Sequence, residues 1–273
     1  MTRDARRSLA IGGTLLALVA VGAAAVALLP VDPARTDLAA RLAGPSRVHW
    51  LGQDGLGRDV LARIGAGARV SFVVAFVVVA ISLAVGVAVG TTAALAGGWT
   101  DLVVARVIDV VLAFPGLLLA IAITAVRGPS VANVVLALSV LGWTGYARLA
   151  RSEVARARRT TFVEAARALG AGPLRLAVRH ALPVAAPALL VQATFGISGV
   201  IVAEASLSFL GLGVPPPAPS WGAMLDEGRQ FLLVAPHLVV APGVALALTV
   251  LGLQLVGDGL RDWLDVRARD EPA

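Results

Sequence analysis

The chain has 273 residues, of which 58% are hydrophobic and 15% charged, and its formal net charge is +6 at pH 7. A water-soluble domain of this length needs more polar surface than that, so the composition indicates a membrane protein. Cysteine is absent, which excludes disulfides, thiolate metal sites and a thiol nucleophile. All 23 strongly basic residues are arginine, and the lack of lysine excludes a Walker A loop and a Schiff-base lysine.

Six stretches are long and apolar enough to cross a membrane as helices, because a crossing takes about 20 mostly apolar residues. In chain order these predicted spans are Leu9–Leu29, Phe72–Ala96, Leu102–Val126, Val131–Ala150, Val184–Ala203 and Leu238–Gly257. The first is longer than the apolar core of a signal peptide, so we expect a retained anchor. The predicted fold is an all-α membrane protein with six transmembrane helices.

The spans divide the chain into five parts. We predict an amino-terminal segment over 1–8, a first span over 9–29, an external segment over 30–71, a membrane core over 72–257 and a tail over 258–273. Within the core, an elbow over 151–183 separates the fourth and fifth spans, and an external loop covers 204–237. Arginines cluster in the elbow and after the sixth span, which places both termini and the elbow in the cytoplasm. The arginines of the external segment oppose this assignment.

The elbow is too charged to cross a membrane, and its glycine and proline residues predict two short helices with a sharp bend between them. Thr161 and Glu164 have the spacing of a capping box at a helix start. Gly170 is placed to end that helix, and Pro173 can begin the next one. Pro183 is expected to stop the second helix as the fifth span begins. From the residues alone, docking on an acidic partner and anchoring on lipid headgroups are equal alternatives.

The same segment resembles the EAA loop of bacterial ABC importer permeases. The run Glu164-Ala165-Ala166 is followed at the family's spacing by Gly170 and by Leu182-Pro183, and His180 precedes the Leu-Pro pair as in the peptide-importer branch. Other stretches resemble the C-type permease of dipeptide, oligopeptide and nickel importers, namely His49–Leu61, Asp109–Pro115, Glu204–Gly213, Pro219–Gly222 and Gly257–Asp262.

This resemblance implies a permease subunit of a binding-protein-dependent, ATP-driven importer in the bacterial inner membrane. Its implied partners are a homologous second permease, two P-loop ATPase subunits, an extracytoplasmic substrate-binding protein and membrane lipid, with no nucleic acid. ATP would be used by the ATPase partners, and this chain would bind no cofactor and have no enzyme activity. The implied substrate is a dipeptide or oligopeptide, with a nickel chelate of the same family as the alternative.

The resemblance also assigns residues to the predicted sites. The ATPase-coupling positions are Glu164, Ala165, Ala166, Leu169, Gly170 and Pro183. At the outer end of the fifth span, the candidates for a pathway or external gate are Glu204, Ser206 and Ser208. For Glu204 a structural role at the membrane interface is the favoured interpretation.

No other sequence feature indicates a catalytic or metal-binding site, and the support for a competing class of transporter is weak. The three histidines are too scattered for a metal site, and no hydrolase or dinucleotide motif occurs, so we predict no catalytic or metal-binding residues. The competing hypothesis is an ion-coupled secondary transporter. That class usually has intramembrane acids or inverted repeats, whereas the acidic residues here lie near span ends.

Overall fold

The computed structural model describes residues 3–28 and 31–270, apart from the side chains of residue 27 and residues 265–270. The end of the predicted span Leu9–Leu29 and parts of the predicted terminal segments 1–8 and 258–273 lie outside the described residues. Within those residues all of the regular secondary structure is helical, and no strand is present. The predicted all-α class is therefore confirmed.

Ten α-helices follow one another along the described chain. They are α1 (Arg3–Ala27), α2 (Val60–Ala96), α3 (Gly98–Ala113), α4 (Gly116–Arg127), α5 (Val131–Ala157), α6 (Thr161–Ala168), α7 (Pro173–Leu176), α8 (Leu182–Phe209), α9 (Trp221–Arg229) and α10 (His237–Asp270). A short 3-10 turn, Leu38–Ala40, lies between α1 and α2, and a π turn, Ala177–Ala181, joins α7 to α8.

In the described ranges, four helices are long and apolar enough to cross a membrane: α1, α2, α10, and α8 together with α7. The pair α3 and α4 makes a fifth candidate but bends by 79°. The predicted span Leu102–Val126 is thus not one straight helix, because Pro115 lacks an amide proton and disfavours helical geometry at Phe114. The predicted span Val131–Ala150 lies in α5, a helix that is not among these candidate spans. The total of six transmembrane helices remains a prediction.

Two helices extend well beyond their predicted spans. α2 begins at Val60, inside the predicted external segment 30–71, where the Asp59 side chain caps it by accepting a hydrogen bond from the Ala62 amide. α10 continues past the predicted end of its span to Asp270. Hydropathy marks only the length that lipid can cover, whereas a helix continues as long as its backbone bonds can form.

The most extensive helix contact is between α2 and α5, and glycines bring their backbones together. A Cβ atom on Gly86 would lie 2.5 Å from the Trp143 carbonyl oxygen, and one on Gly90 would lie 2.3 Å from that of Ala147. Small residues permit this approach between helices in lipid, where van der Waals packing drives association. α1 packs on α10 in the same manner, through the close pair Gly12 and Gly252.

Replacing Gly90 with alanine is expected to lower the free energy of unfolding by about 1–3 kcal/mol, since the new methyl group overpacks the contact between α2 and α5. Gly13→Ala is the matched control, because a Cβ there meets nothing within 4 Å and alanine favours the helix. Thermal unfolding of the detergent-solubilised protein, followed by tryptophan fluorescence, measures the difference. Equal stability of the two variants would contradict the close backbone contact.

Candidate functional site

Between α5 and α8 the chain forms a two-helix segment, Thr161–Ala181, that contains α6, α7 and the π turn. Gly170 has a φ of 83°, a left-handed conformation that glycine adopts without a side-chain clash. Its amide donates to the Arg167 carbonyl at 3.0 Å. The next amide, that of Ala171, donates to the Ala166 carbonyl at 3.0 Å. Both bonds close the carboxyl end of α6, so the helix ends beside Gly170, where the sequence predicts its end.

The start of α6 differs from the predicted capping box of Thr161 and Glu164. The residue before the helix is Thr160, and no side chain caps the first turn. The Thr160 hydroxyl instead donates to the Ala157 carbonyl at 2.6 Å. This part of the prediction is wrong, because the helix starts one residue earlier than the capping box requires. Thr161 therefore lies inside the first turn, and the hydroxyl of Thr160, at the cap position, bonds to the last turn of α5.

Pro183 lies in the first turn of α8 and does not stop the preceding helix, which corrects the prediction made for it. The π turn before it carries the helical path from α7 into α8, and the Leu182 amide donates to the Ala177 carbonyl five residues back. A proline ring clashes with the carbonyl four residues earlier in a regular helix. The wider π turn is the kind of local adjustment that accommodates such an interruption without ending the helix.

The predicted coupling residues lie mostly on the surface of the two-helix segment. Leu169 is 89% exposed and Leu174 77% exposed, and Phe162 and Val178 are each more than half exposed. Within α6, all of whose residues are described, Val163 is the one buried side chain. The other predicted coupling positions are half-buried at Ala166 and exposed at Glu164, Ala165, Gly170 and Pro183. The segment therefore presents an apolar surface that no described part of this chain covers.

The base of the two-helix segment is a cluster of small buried residues, which we call the base cluster. Ala94 of α2, Val154 and Ala157 of α5 and Ala181 before α8 pack together in it. The Arg158 guanidinium donates to the Ala94 carbonyl, which adds a polar tie between α5 and the end of α2. These contacts connect the two-helix segment to α2, to α5 and to the start of α8.

At the other end of α8, the structure places Glu204 and Ser208 in one buried polar cluster. Glu204 is 0% exposed and accepts hydrogen bonds from Ser71 of α2 at 2.8 Å and from Ser208 at 2.7 Å. The Ser220 side chain, which also caps α9, is a third hydrogen-bonding neighbour. Ser206 lies apart, half-buried, and its hydroxyl donates to a backbone carbonyl of α8. Glu204 therefore ties α8 to α2 and to the start of α9.

A charged cluster that the sequence did not predict joins α9 to the residues before α2 and to the first turn of α2. Arg58 Nε donates to Asp54 Oδ2 at 2.6 Å, and Arg58 Nη2 donates to Glu227 Oε2 at 2.6 Å. Arg63, only 1% exposed, donates to the same Glu227 oxygen at 3.0 Å. Asp54 and Arg58 lie in the stretch that carries the family resemblance, but nothing in the sequence indicates that Glu227, on α9, is their partner.

Residues 85–270 match the family described as the binding-protein-dependent transport system inner membrane component. The chain belongs to this family. The glutathione transport system permease protein GsiD of Pectobacterium atrosepticum is 41% identical over 263 residues, which cover 96% of this chain and 87% of that relative. The protein of the same name from Shigella flexneri serotype 5b is 44% identical over 226 residues, covering 83% and 75% respectively.

A solved structure agrees at the level of the fold. A chain of the inward-facing MetNI methionine ABC transporter matches with a TM-score of 0.60 at 20% identity, covering 75% of this chain and 95% of that one. The protein is accordingly a permease component of an ABC importer and a multi-pass inner-membrane protein. Its relatives are transport subunits and not enzymes, and the same holds for this chain.

Substituting Glu204 with alanine is expected to destabilise the protein by about 1–3 kcal/mol or more, because the hydroxyl groups of Ser71 and Ser208 lose their buried acceptor. Ser206→Ala serves as the control, since that hydroxyl bonds only to its own helix. Thermal unfolding in lipid nanodiscs compares the two variants. A Glu204→Ala variant as stable as Ser206→Ala would show that the carboxylate contributes nothing to the packing of α2, α8 and α9.

Proposed function

We propose that this chain forms half of the translocation pathway of a peptide importer and responds to ATP through its two-helix segment. The observation that carries the proposal is the exposed apolar surface of that segment, on which Leu169 and Leu174 are almost free of intramolecular contact. Exposed apolar side chains gathered on one short segment favour an interaction site, because water solvates them poorly. Glu164, Ala165 and Ala166 lie on the same helix and would shape that contact.

The partner that fits this surface is a P-loop ATPase subunit in the cytoplasm. Arg167, Arg175 and Arg179 are exposed around the apolar residues and favour both an acidic rim on the partner and a cytoplasmic location. The amino and carboxyl termini would lie on that side as well. This chain lacks the lysine of a Walker A loop, so ATP is bound and hydrolysed by two partner ATPase subunits, and this chain carries no cofactor.

The base cluster is the proposed mechanical link between the two-helix segment and the membrane helices. When the ATPase subunits close, they would displace α6 and α7, and the buried contacts of Ala94, Val154 and Ala181 would pass this displacement to α2, α5 and α8. Those helices line the pathway together with a homologous second permease. Tilting them exposes the pathway to one side of the membrane and then to the other, so that the solute is released inward by alternating access.

The opposite end of the same helices would face an extracytoplasmic substrate-binding protein. The segment between α1 and α2 and the loop before α9 are the surfaces available there. Glu204 and Ser208 would hold α8 against α2 and α9 in the closed external gate, without touching the solute, because both are buried. Ser206 is the member of the predicted gate set that remains accessible in part.

Peptides are the proposed substrates for two reasons. The stretches His49–Leu61 and Glu204–Gly213 resemble the C-type permeases of peptide importers, and two relatives more than 40% identical are named glutathione transport permeases. Glutathione is itself a small peptide. Uptake of labelled trialanine, glutathione and a nickel chelate by the assembled importer separates the alternatives, and uptake of the nickel chelate alone would overturn the peptide assignment.

Photocrosslinking from Ala171→Cys tests the ATPase contact, since the natural chain has no cysteine. We expect a P-loop ATPase as the main adduct in native membranes, identified by mass spectrometry. Ala218→Cys, an exposed alanine in the loop before α9, is the control and should give no ATPase adduct. Lipid adducts alone at position 171, with the ATPase expressed, would favour an interfacial role for the two-helix segment and overturn its proposed contact with the ATPase.

Leu169→Ser should lower the affinity of the ATPase for the permease by about 2 kcal/mol, roughly 30-fold, because a fully buried leucine contributes about that much at an interface. Leu233→Ser is matched to it, since Leu233 is 97% exposed and lies between α9 and α10. Quantitative co-purification of ATPase with each tagged variant provides the measurement. Equal recovery with both variants would remove Leu169 from the contact.

A further inference from the structure

A groove of about 890 Å³ lies between α1 and α2, at the end of the long helices opposite the two-helix segment. Its border includes Val131, the first residue of α5, and Pro219, in the loop before α9. Along α2 the groove runs from Ala62 to Val74, which is about 18 Å at about 1.5 Å per residue. The apolar layer of one membrane leaflet is about 15 Å thick, so the two lengths are similar.

Small residues keep this groove open. At one height α1 and α2 touch, because a Cβ atom on Gly65 would lie only 2.8 Å from Val26 Cγ1. Next to this contact, Ala20, Ala23 and Ala24 form the α1 wall of the groove. A methyl group fills less of the space between two helices than a larger side chain would. The groove is therefore a space between two helices that the described part of the chain leaves open.

Arg69 of α2 is the one charged residue among the described residues that line the groove. All the others are alanine, glycine, valine, proline or phenylalanine. Arg69 is exposed, and it forms no ion pair with any residue that the structure describes. The groove therefore combines apolar walls with a single cation that lacks a counter-ion.

Other arginines near the start of α2 are neutralised inside the protein. Arg58 and Arg63 are buried, and both pair with Glu227. Side chains of a helix lean toward its amino end, so the Arg69 side chain can extend away from the apolar middle of the span. An arginine in this position can hold its charge at the level of lipid headgroups while its aliphatic stem contacts the apolar groove.

Beyond Arg69, toward the middle of the span, the exposed face of α2 is apolar. Val73, Phe76 and Val77 are each at least 40% exposed. They follow Arg69 by four, seven and eight residues, which is the spacing of one helix face. Val73 also lines the groove, so the apolar face continues directly from it. This face offers an extended hydrocarbon chain a continuous contact that begins beside the cation.

We propose that the groove binds an anionic phospholipid, with its phosphate on Arg69 and one acyl chain between α1 and the apolar face of α2 that begins at Val73. A guanidinium and a phosphate form charge-assisted hydrogen bonds, often two in parallel. Because this is a multi-pass membrane protein, lipid is available beside α2. A peptide would instead bring backbone amides against walls that offer them no partner. The bound phosphate would also neutralise one of the arginines that oppose the predicted orientation.

A photoactivatable phosphatidylglycerol, with a diazirine on one acyl chain, tests the site in the assembled importer. In phosphatidylcholine vesicles we expect adducts on residues 66–77, located by mass spectrometry. Arg69→Gln should reduce these adducts about tenfold, because the charge-assisted contact with the phosphate is lost. Arg47→Gln is the matched control, since Arg47 is exposed in the segment before α2 and lies outside the groove. Equal labelling of the two variants would overturn the proposal.

The headgroup and the occupant are tested separately. The same diazirine chain on phosphatidylcholine should label these residues several-fold less, because its choline group already balances the phosphate. Equal labelling by the two lipids would indicate an ordinary lipid-facing surface and overturn the proposal. Photocrosslinking from Val77→Cys in native membranes should give lipid adducts, whereas a second permease as the main adduct would assign the groove to a subunit interface and overturn it as well.

Thermal unfolding in detergent checks that Arg69→Gln acts through the lipid. Arg69 has no ion-pair partner in the described part of the protein, so the variant should unfold at the same temperature as the unsubstituted importer without phosphatidylglycerol. Added phosphatidylglycerol should raise the unfolding temperature of the unsubstituted importer but not that of the variant, since a ligand of the folded protein stabilises it. An equal rise in both, or a variant already less stable without the lipid, would contradict a lipid site at Arg69.

Discussion

Hydrocarbon provides no hydrogen-bond partner, and every polar group in the apolar part of this chain has to find one inside the protein. Helices meet this requirement for the backbone, which is why no strand occurs in the described ranges. The side chains meet it in clusters: Glu204 gathers serines from two helices, and Arg63 is held by Glu227. The hydroxyl groups of Ser82 and Tyr146 are exceptions that have no partner among the described residues.

Small residues form the contacts on which the helix arrangement depends. α2 and α5 touch at Gly86 and Gly90, and the base cluster contains little besides alanine and valine. Such contacts leave almost no side chain to rearrange when the helices move. Helices packed in this way shift as units, and that property suits a protein whose proposed task is to exchange two arrangements of the same helices.

The sequence predicted the class, the main apolar spans and the residues that carry the family resemblance, because hydropathy and spacing depend only on local composition. It predicted the end of α6 at Gly170 for the same reason. It was wrong about the capping box at Thr161 and the break at Pro183, since both depend on a neighbouring turn. It missed Glu227, because the contacts of Glu227 with Arg58 and Arg63 join residues far apart in the chain, and only the packed structure brings them together.

One uninterrupted helical path of 37 residues, Pro173–Phe209, runs through the π turn and contains Glu204 near its far end. At about 1.5 Å per residue it is about 55 Å long, so a tilt of about 5° about one end carries the other through about 5 Å. In the proposed mechanism this path would act as a lever, with the proposed ATPase contact near one end and the Glu204 cluster near the other. The π turn lies near the ATPase end of this path, and its stiffness would decide how much of an ATP-driven displacement reaches the far side of the membrane.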